Sequence, residues 1–74
     1  MPKLPRITAA DALRALQRDG WQVDSQSGSH IQLKHPTKPG RVTVAVDPGT
    51  IPVGTLGSII RQAGLTADQF RALL

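Results

Sequence analysis

The chain has no cysteine, no glutamate and no tyrosine, and it has one tryptophan and one phenylalanine among its 74 residues. Without cysteine a protein has no disulfide, no thiol nucleophile and no cysteine-ligated metal site, and nothing suggests secretion. With 39% hydrophobic residues the core is small, since a chain of this size buries about 60% of its unfolded surface. The sequence predicts one domain spanning residues 1–74.

Long apolar runs are missing as well. No run approaches the roughly 20 residues of a membrane span, and residues 1–6 lack the apolar segment of a signal peptide. We therefore expect a cytoplasmic protein that makes no membrane contact.

Acidic residues are outnumbered: nine Lys and Arg face five Asp, which gives a net charge of +4. This balance favours anionic partners, such as nucleic acid or an acidic protein. A zinc site would need His30, His35 and aspartates to converge, and catalytic zinc usually takes three protein ligands. We expect no metal and no cofactor.

Hydrophobic spacing predicts a helix over residues 9–19. Thr8 is its predicted N-cap, and Asp11 in the first turn is expected to complete a capping box with it. Alternation then predicts a strand in which Trp21 and Val23 face inward.

Residues 25–28 are predicted to form the turn that leads to a second strand. There Ile31 and Leu33 face the core, so His30, Gln32 and Lys34 share the opposite face. Residues 35–40 form the next turn because they contain two prolines and Gly40.

Alternating valines predict a third strand over residues 42–46, with Arg41 and Thr43 pointing outward. Helical spacing returns over residues 56–63, which Gly64 ends. Thr66 and Gln69 form a predicted capping box for a short last helix. Its residues Phe70, Leu73 and Leu74 are expected to reach the core.

These elements predict an α+β fold of two layers, in which helices cover one face of a three-stranded antiparallel meander. The other face stays open. By alternation it carries Gln22, Asp24, His30, Gln32, Lys34, Arg41 and Thr43.

The open face combines a histidine with basic side chains. His30 shares the face with Lys34 and is expected to lie close to the strand of Arg41, so an anion could dock there. If the anion is an RNA phosphodiester, the 2′-hydroxyl is the nucleophile and a histidine can move the proton without a metal. Polar residues on an open sheet face usually just meet water, and this alternative stays open.

Other residues near His30 have structural interpretations. His35 falls on the opposite face and precedes Pro36, which favours a role in the turn unless a bulge re-aims it. Gly28 suits the hairpin turn and Ser29 a turn hydroxyl, although both could also contact RNA. The candidate RNA-binding residues are Lys34, Arg41, Ser29, Gly28 and Thr43.

Several segments resemble the HicA-type (YcfA-like) toxins of bacterial toxin–antitoxin pairs. They are Gly28-Ser29-His30, Lys34-His35-Pro36, Arg41-Val42-Thr43-Val44, Gly54-Thr55-Leu56, the run Ser58 to Leu65, and Asp19-Gly20-Trp21 with Trp in place of the usual Phe. The resemblance covers essentially the whole chain.

The resemblance implies an α-β-β-β-α fold similar to double-stranded RNA-binding domains, and a ribosome-independent mRNA interferase. His30 would be its catalytic residue, and a HicB-type antitoxin would neutralise it by covering the site. The free toxin is expected to be monomeric. Family members often carry a histidine after the third strand where this chain has Asp47, so Asp47 would weaken activity, orient another group or face the antitoxin.

Two further hypotheses stay open. The chain could be a non-catalytic module that holds structured RNA by its backbone and 2′-hydroxyls. It could also act only as a protein partner through its sheet. The second proton-transfer group is unnamed: water, the substrate or His35 could serve.

Overall fold

A computed structural model describes residues 4–74. Its elements follow the predicted order: α1 (Ala9–Arg18), β1 (Gln22–Ser27), β2 (His30–Lys34), β3 (Val42–Ala45), α2 (Val53–Gln62) and α3 (Ala67–Ala72). The strands form one antiparallel sheet in the order β1-β2-β3. α1 and α2 pack against β3, so the predicted α+β class with an open sheet is confirmed.

Two of the helices begin with the same local device. Thr8 Oγ1 accepts a hydrogen bond from Asp11 N at 3.3 Å, and Asp11 Oδ2 accepts one from Thr8 N at 3.1 Å. Thr66 and Gln69 make the equivalent pair at the start of α3. Both predicted capping boxes are therefore confirmed. Each satisfies backbone donors that a helix start leaves without an intrahelical partner.

The core lies between the helices and the inner face of β2 and β3. Trp21 is 1% exposed and directly precedes β1, so its predicted place in the core is confirmed. The buried hydrophobic residues are Ile7, Ala9, Ala12, Ala15, Leu16, Trp21, Leu33, Val42, Val44, Leu56, Ile59, Ile60, Ala63 and Phe70.

The first strand differs from the prediction in two ways. It continues to Ser27, so residues 25–28 are not the turn. The turn needs only Gly28 and Ser29, because Gly28 adopts a φ of +58° that suits the first position of a two-residue hairpin loop. Val23 was predicted to face the core and is 51% exposed. The helices pack over β3, which leaves this edge strand without a covering layer.

A bulge explains how β1 presents its polar residues. The register shifts between Val23 and Ser25, so Asp24 and Ser25 together stand opposite Gln32 on β2. Two successive side chains therefore reach the open face, and one of them is a carboxylate.

The last two helices close the core. α2 begins at Val53, three residues before the apolar spacing starts, and Gly64 follows its end with a φ of +69°. Phe70 is fully buried, whereas Leu74 is 42% exposed, so the expectation that Leu74 reaches the core is wrong. α3 ends at Ala72, and the turn that follows at Leu73 leaves Leu74 at the surface. Within residues 4–74, no helix is long and apolar enough to cross a membrane.

Candidate functional site

His30 stands at the start of β2, directly after the Gly28–Ser29 turn. It pairs with Ser27 on β1 and with Ala45 on β3, so it occupies the middle of the sheet at one end. Its side chain is exposed. Within residues 4–74 the imidazole makes no hydrogen bond, which leaves both ring nitrogens available for a ligand.

A cleft of about 320 Å³ opens beside His30. It lies between the end of the sheet and the connection that runs from β3 to α2. The lining residues are His30, Ala45, Asp47, Thr50, Ile51, Pro52 and Thr55. The connection is held in place because Ile51 N donates to Ile7 O at 2.8 Å and Thr50 forms a bridge with Thr8. His30 therefore faces a fixed wall.

The basic candidates lie at the other end of β2. Lys34 is four residues beyond His30, and strands rise about 3.3 Å per residue, so about 13 Å separates the two positions. Arg41 directly precedes β3 beside the Lys34 end. His30 lies beside the strand of Arg41, as expected, but it is at the opposite end of that strand pair from Lys34 and Arg41. The extended strand keeps the histidine apart from the two cations.

Asp24 is the counter-ion of both cations. Its Oδ1 lies 3.4 Å from Lys34 Nζ, and its Oδ2 accepts a hydrogen bond from the Arg41 guanidinium. These contacts, that of Arg41 first and that of Lys34 second, lower the pKa of Asp24 below its ordinary value. The carboxylate stays ionised at neutral pH. Asp24, Lys34 and Arg41, which we call the Lys34–Arg41 cluster, therefore carry one net positive charge.

The remaining RNA-binding candidates connect the two ends. Gly28 and Ser29 form the turn beside His30, and Thr43 stands opposite Gln32 in the middle of the open face. The open face is thus a polar stripe from the His30 cleft to the Lys34–Arg41 cluster. One strand of nucleic acid could cross it, with different phosphates at the two ends.

His35 is committed to the turn after β2. Its Nδ1 accepts hydrogen bonds from Thr37 N and Lys38 N, both at 3.1 Å. Nε2 therefore carries the proton and donates to Asp19 O at 2.7 Å. The ring also lies edge-on against Trp21, with 5.2 Å between the ring centroids. Both nitrogens are occupied, which removes His35 as the proton-transfer partner of His30.

The turn joins the ends of two helices. Lys38 Nζ lies 2.6 Å from Asp19 Oδ2 and donates to Ala63 O at 3.1 Å. Gly20 completes the joint, since its φ is +104° and a Cβ there would lie 2.7 Å from His35 Nε2. Asp19 follows α1, and Ala63 follows α2, so this joint fixes the helix layer to the sheet.

Sequence reasoning missed two contributors. Alternation places Asp24 on the open face with Lys34 and Arg41, but it does not predict the ion pairs that Asp24 forms with both. The wall formed by Thr50 and Thr55 depends on the path of the β3–α2 connection. The sequence did indicate the position of Asp47, because strand alternation puts residue 47 on the same face as Thr43 and Ala45. Within residues 4–74 no three potential metal ligands of the His, Cys, Asp or Glu type cluster together.

The fold and the site together define a class: a small α+β domain, like double-stranded RNA-binding domains in architecture, with a histidine cleft on its open sheet face. A family model described as HicA toxin of bacterial toxin-antitoxin matches residues 9–65. Because the match covers most of the chain, the protein belongs to the HicA toxin family and is a toxin of a toxin–antitoxin system. No curated protein matches the chain.

Proposed function

We propose that the protein is a metal-independent endoribonuclease that cleaves mRNA, with His30 as a catalytic residue. The observation that carries the proposal is the exposed His30 side chain, which lines a cleft and makes no side-chain hydrogen bond to residues 4–74. A histidine with free nitrogens can take up or release a proton near neutral pH.

RNA is the substrate that fits such a group. The 2′-hydroxyl lies beside the phosphorus and attacks it as an effectively intramolecular nucleophile, so proton transfer alone can drive cleavage. The Lys34–Arg41 cluster supports the choice, because it places positive charge along the same face for neighbouring phosphates. Gly28, Ser29 and Thr43 would contact the strand between the two ends.

The family also suggests the partner. A toxin of a toxin–antitoxin system works with an antitoxin, and we propose one of HicB type that inhibits by covering the His30 cleft. An acidic antitoxin surface would complement the toxin's net charge of +4 and accelerate association. The free toxin would act as a monomer on mRNA in the cytoplasm.

The test is an RNA cleavage assay with the purified chain and a His30→Ala variant in excess chelator. The substrate is a long unstructured RNA, and the products are analysed for 2′,3′-cyclic phosphate ends. Cleavage by the natural chain alone supports the proposal. Intact RNA with both proteins, together with measurable binding, would favour a non-catalytic RNA-binding module.

A matched control separates chemistry from folding. His30 is exposed, so His30→Ala should keep the native unfolding midpoint and bind RNA with nearly unchanged affinity. Loss of cleavage with intact folding and binding would assign the chemical step to the imidazole.

A further inference from the structure

Asp47 differs from the other carboxylates of the chain. The other four each form an ion pair: Asp11 with Arg14, Asp19 with Lys38, Asp68 with Arg71, and Asp24 with both Lys34 and Arg41. Within the described part of the chain, Asp47 has no ion pair. It is exposed and lines the same cleft as His30. A carboxylate without a cationic partner remains free to accept a proton.

The strand register puts Asp47 on the face of His30. Ala45 stands opposite His30, and the hydrogen bond from Val46 N to Ser29 O at 2.7 Å extends the ladder by one pair beyond β3. Asp47 is two residues beyond Ala45, just past the last pair of the ladder, and it lines the same cleft as His30. A continued ladder would put this position diagonal to His30, at about 7–8 Å, which leaves room for a phosphodiester between the two side chains.

Within residues 4–74, the cleft is lined by no titratable group other than these two. Among the residues that line the cleft, His30 and Asp47 alone ionise, since the others are Ala45, Thr50, Ile51, Pro52 and Thr55. His35 is held in its turn by bonds to both ring nitrogens. The Lys34–Arg41 cluster is at the far end of the sheet.

We propose that Asp47 is the general base of RNA cleavage and that His30 is the general acid, an inference that rests on the proposed ribonuclease function. Asp47 removes the proton of the 2′-hydroxyl, whose oxygen then forms a bond to phosphorus. The bond from phosphorus to the 5′-oxygen breaks, and the His30 imidazolium gives its proton to that oxygen. The products are a 2′,3′-cyclic phosphate and a 5′-hydroxyl, and solvent returns the proton from Asp47 to His30.

The direction of proton flow follows from the two groups. A carboxylate can remove a proton as a general base, and an imidazolium can supply one as a general acid. The reaction therefore needs ionised Asp47 and protonated His30, which makes the rate pass through a maximum as pH increases.

The test compares Asp47→Asn with Asp68→Asn, which makes the same charge change on α3. Single-turnover cleavage in chelator should fall by about 100- to 1000-fold in Asp47→Asn at saturating RNA. RNA affinity should stay the same or increase, because a negative charge is removed. Asp68→Asn should cleave like the natural chain.

The pH profile supplies a readout that a merely structural role would not change. The natural chain should show a rising acid limb and a falling basic limb. Asp47→Asn should lose the rising limb and keep the falling one. Asp47→Glu should recover most of the rate, and Asp47→His should recover part of it with the rising limb moved to higher pH, since imidazole is a weaker acid than a carboxyl group.

The outcomes separate the two proposals. If the natural chain cleaves RNA, His30→Ala does not, and Asp47→Asn keeps the natural rate and pH profile, the assignment of Asp47 is wrong and the ribonuclease function stands. If the natural chain itself leaves RNA intact across the pH range, the ribonuclease function and the base are both overturned.

Discussion

The two histidines of this chain differ in every contact that decides their roles. His30 is exposed in a cleft, and no residue of the described range holds its ring. His35 is half-buried against Trp21 and bonds to three backbone groups. The sequence indicates part of this difference, because an odd spacing of five residues puts the two side chains on opposite faces of a strand.

We expect His35→Ala to destabilise the fold by about 2–3 kcal/mol, since it removes three hydrogen bonds worth about 1 kcal/mol each. His30→Ala should change the unfolding free energy by less than about 0.5 kcal/mol, as is usual for an exposed side chain. Urea unfolding of both variants at neutral pH measures the contrast. Equal midpoints for the two variants would contradict this assignment.

The alternation of side chains along a strand predicted which face of the sheet a residue occupies better than it predicted contacts between strands. It placed His30, Gln32 and Lys34 together on the open face, as the β2 register confirms. It could not reveal the β1 bulge, because β1 is polar on both faces and hydrophobic burial then specifies no register. It put Asp24 on the open face as well, but alternation does not specify the side-chain contacts that pair Asp24 with Lys34 and Arg41.

For helices and strands, sequence signals between neighbouring residues predicted the structure more reliably than they predicted contacts between distant segments. The capping boxes at Thr8 and Thr66 involve residues three apart and need no tertiary information. The β3–α2 connection was predicted only as a break after β3, and its role as the wall of the cleft depends on the bond between Ile51 and Ile7. The cleft is therefore a tertiary feature.

Asp24 on the bulged strand β1 makes the free energy of unfolding depend on pH in the acid range. Because the pKa of Asp24 is lowered in the folded state, its contribution is complete above the ordinary aspartate pKa of about 3.9. It is lost as pH falls through the lower folded value. Asp24→Asn should reduce the slope of unfolding free energy against pH below about pH 4. Urea titrations from neutral to acid pH measure this, and an unchanged slope would contradict it.

In the molecule as a whole, the proposed sites of RNA binding and of chemistry lie at opposite ends of one sheet face. The His30 cleft and the Lys34–Arg41 cluster stand about 13 Å apart, so substitutions at one end should leave the other intact. We expect Lys34→Gln and Arg41→Gln each to weaken RNA binding. Each should also reduce the slope of log affinity against log salt concentration by up to about 0.7, the value for one single-strand phosphate contact.

Arg71→Gln is the matched control, since Arg71 is also paired with an aspartate but belongs to α3. It should leave the salt slope unchanged. Cleavage at saturating RNA should also persist in Lys34→Gln and Arg41→Gln. A loss of the chemical step in these variants would show that the cations act at the reacting phosphate.

The contact between Gly20 and His35 also constrains how this sequence can evolve. While His35 is present, any larger residue at position 20 meets both a left-handed backbone and the imidazole ring. Replacement of His35 would relieve the second obstacle and leave the first. The two positions are thus epistatic, because a substitution at Gly20 meets one obstacle fewer in a chain that has already lost His35.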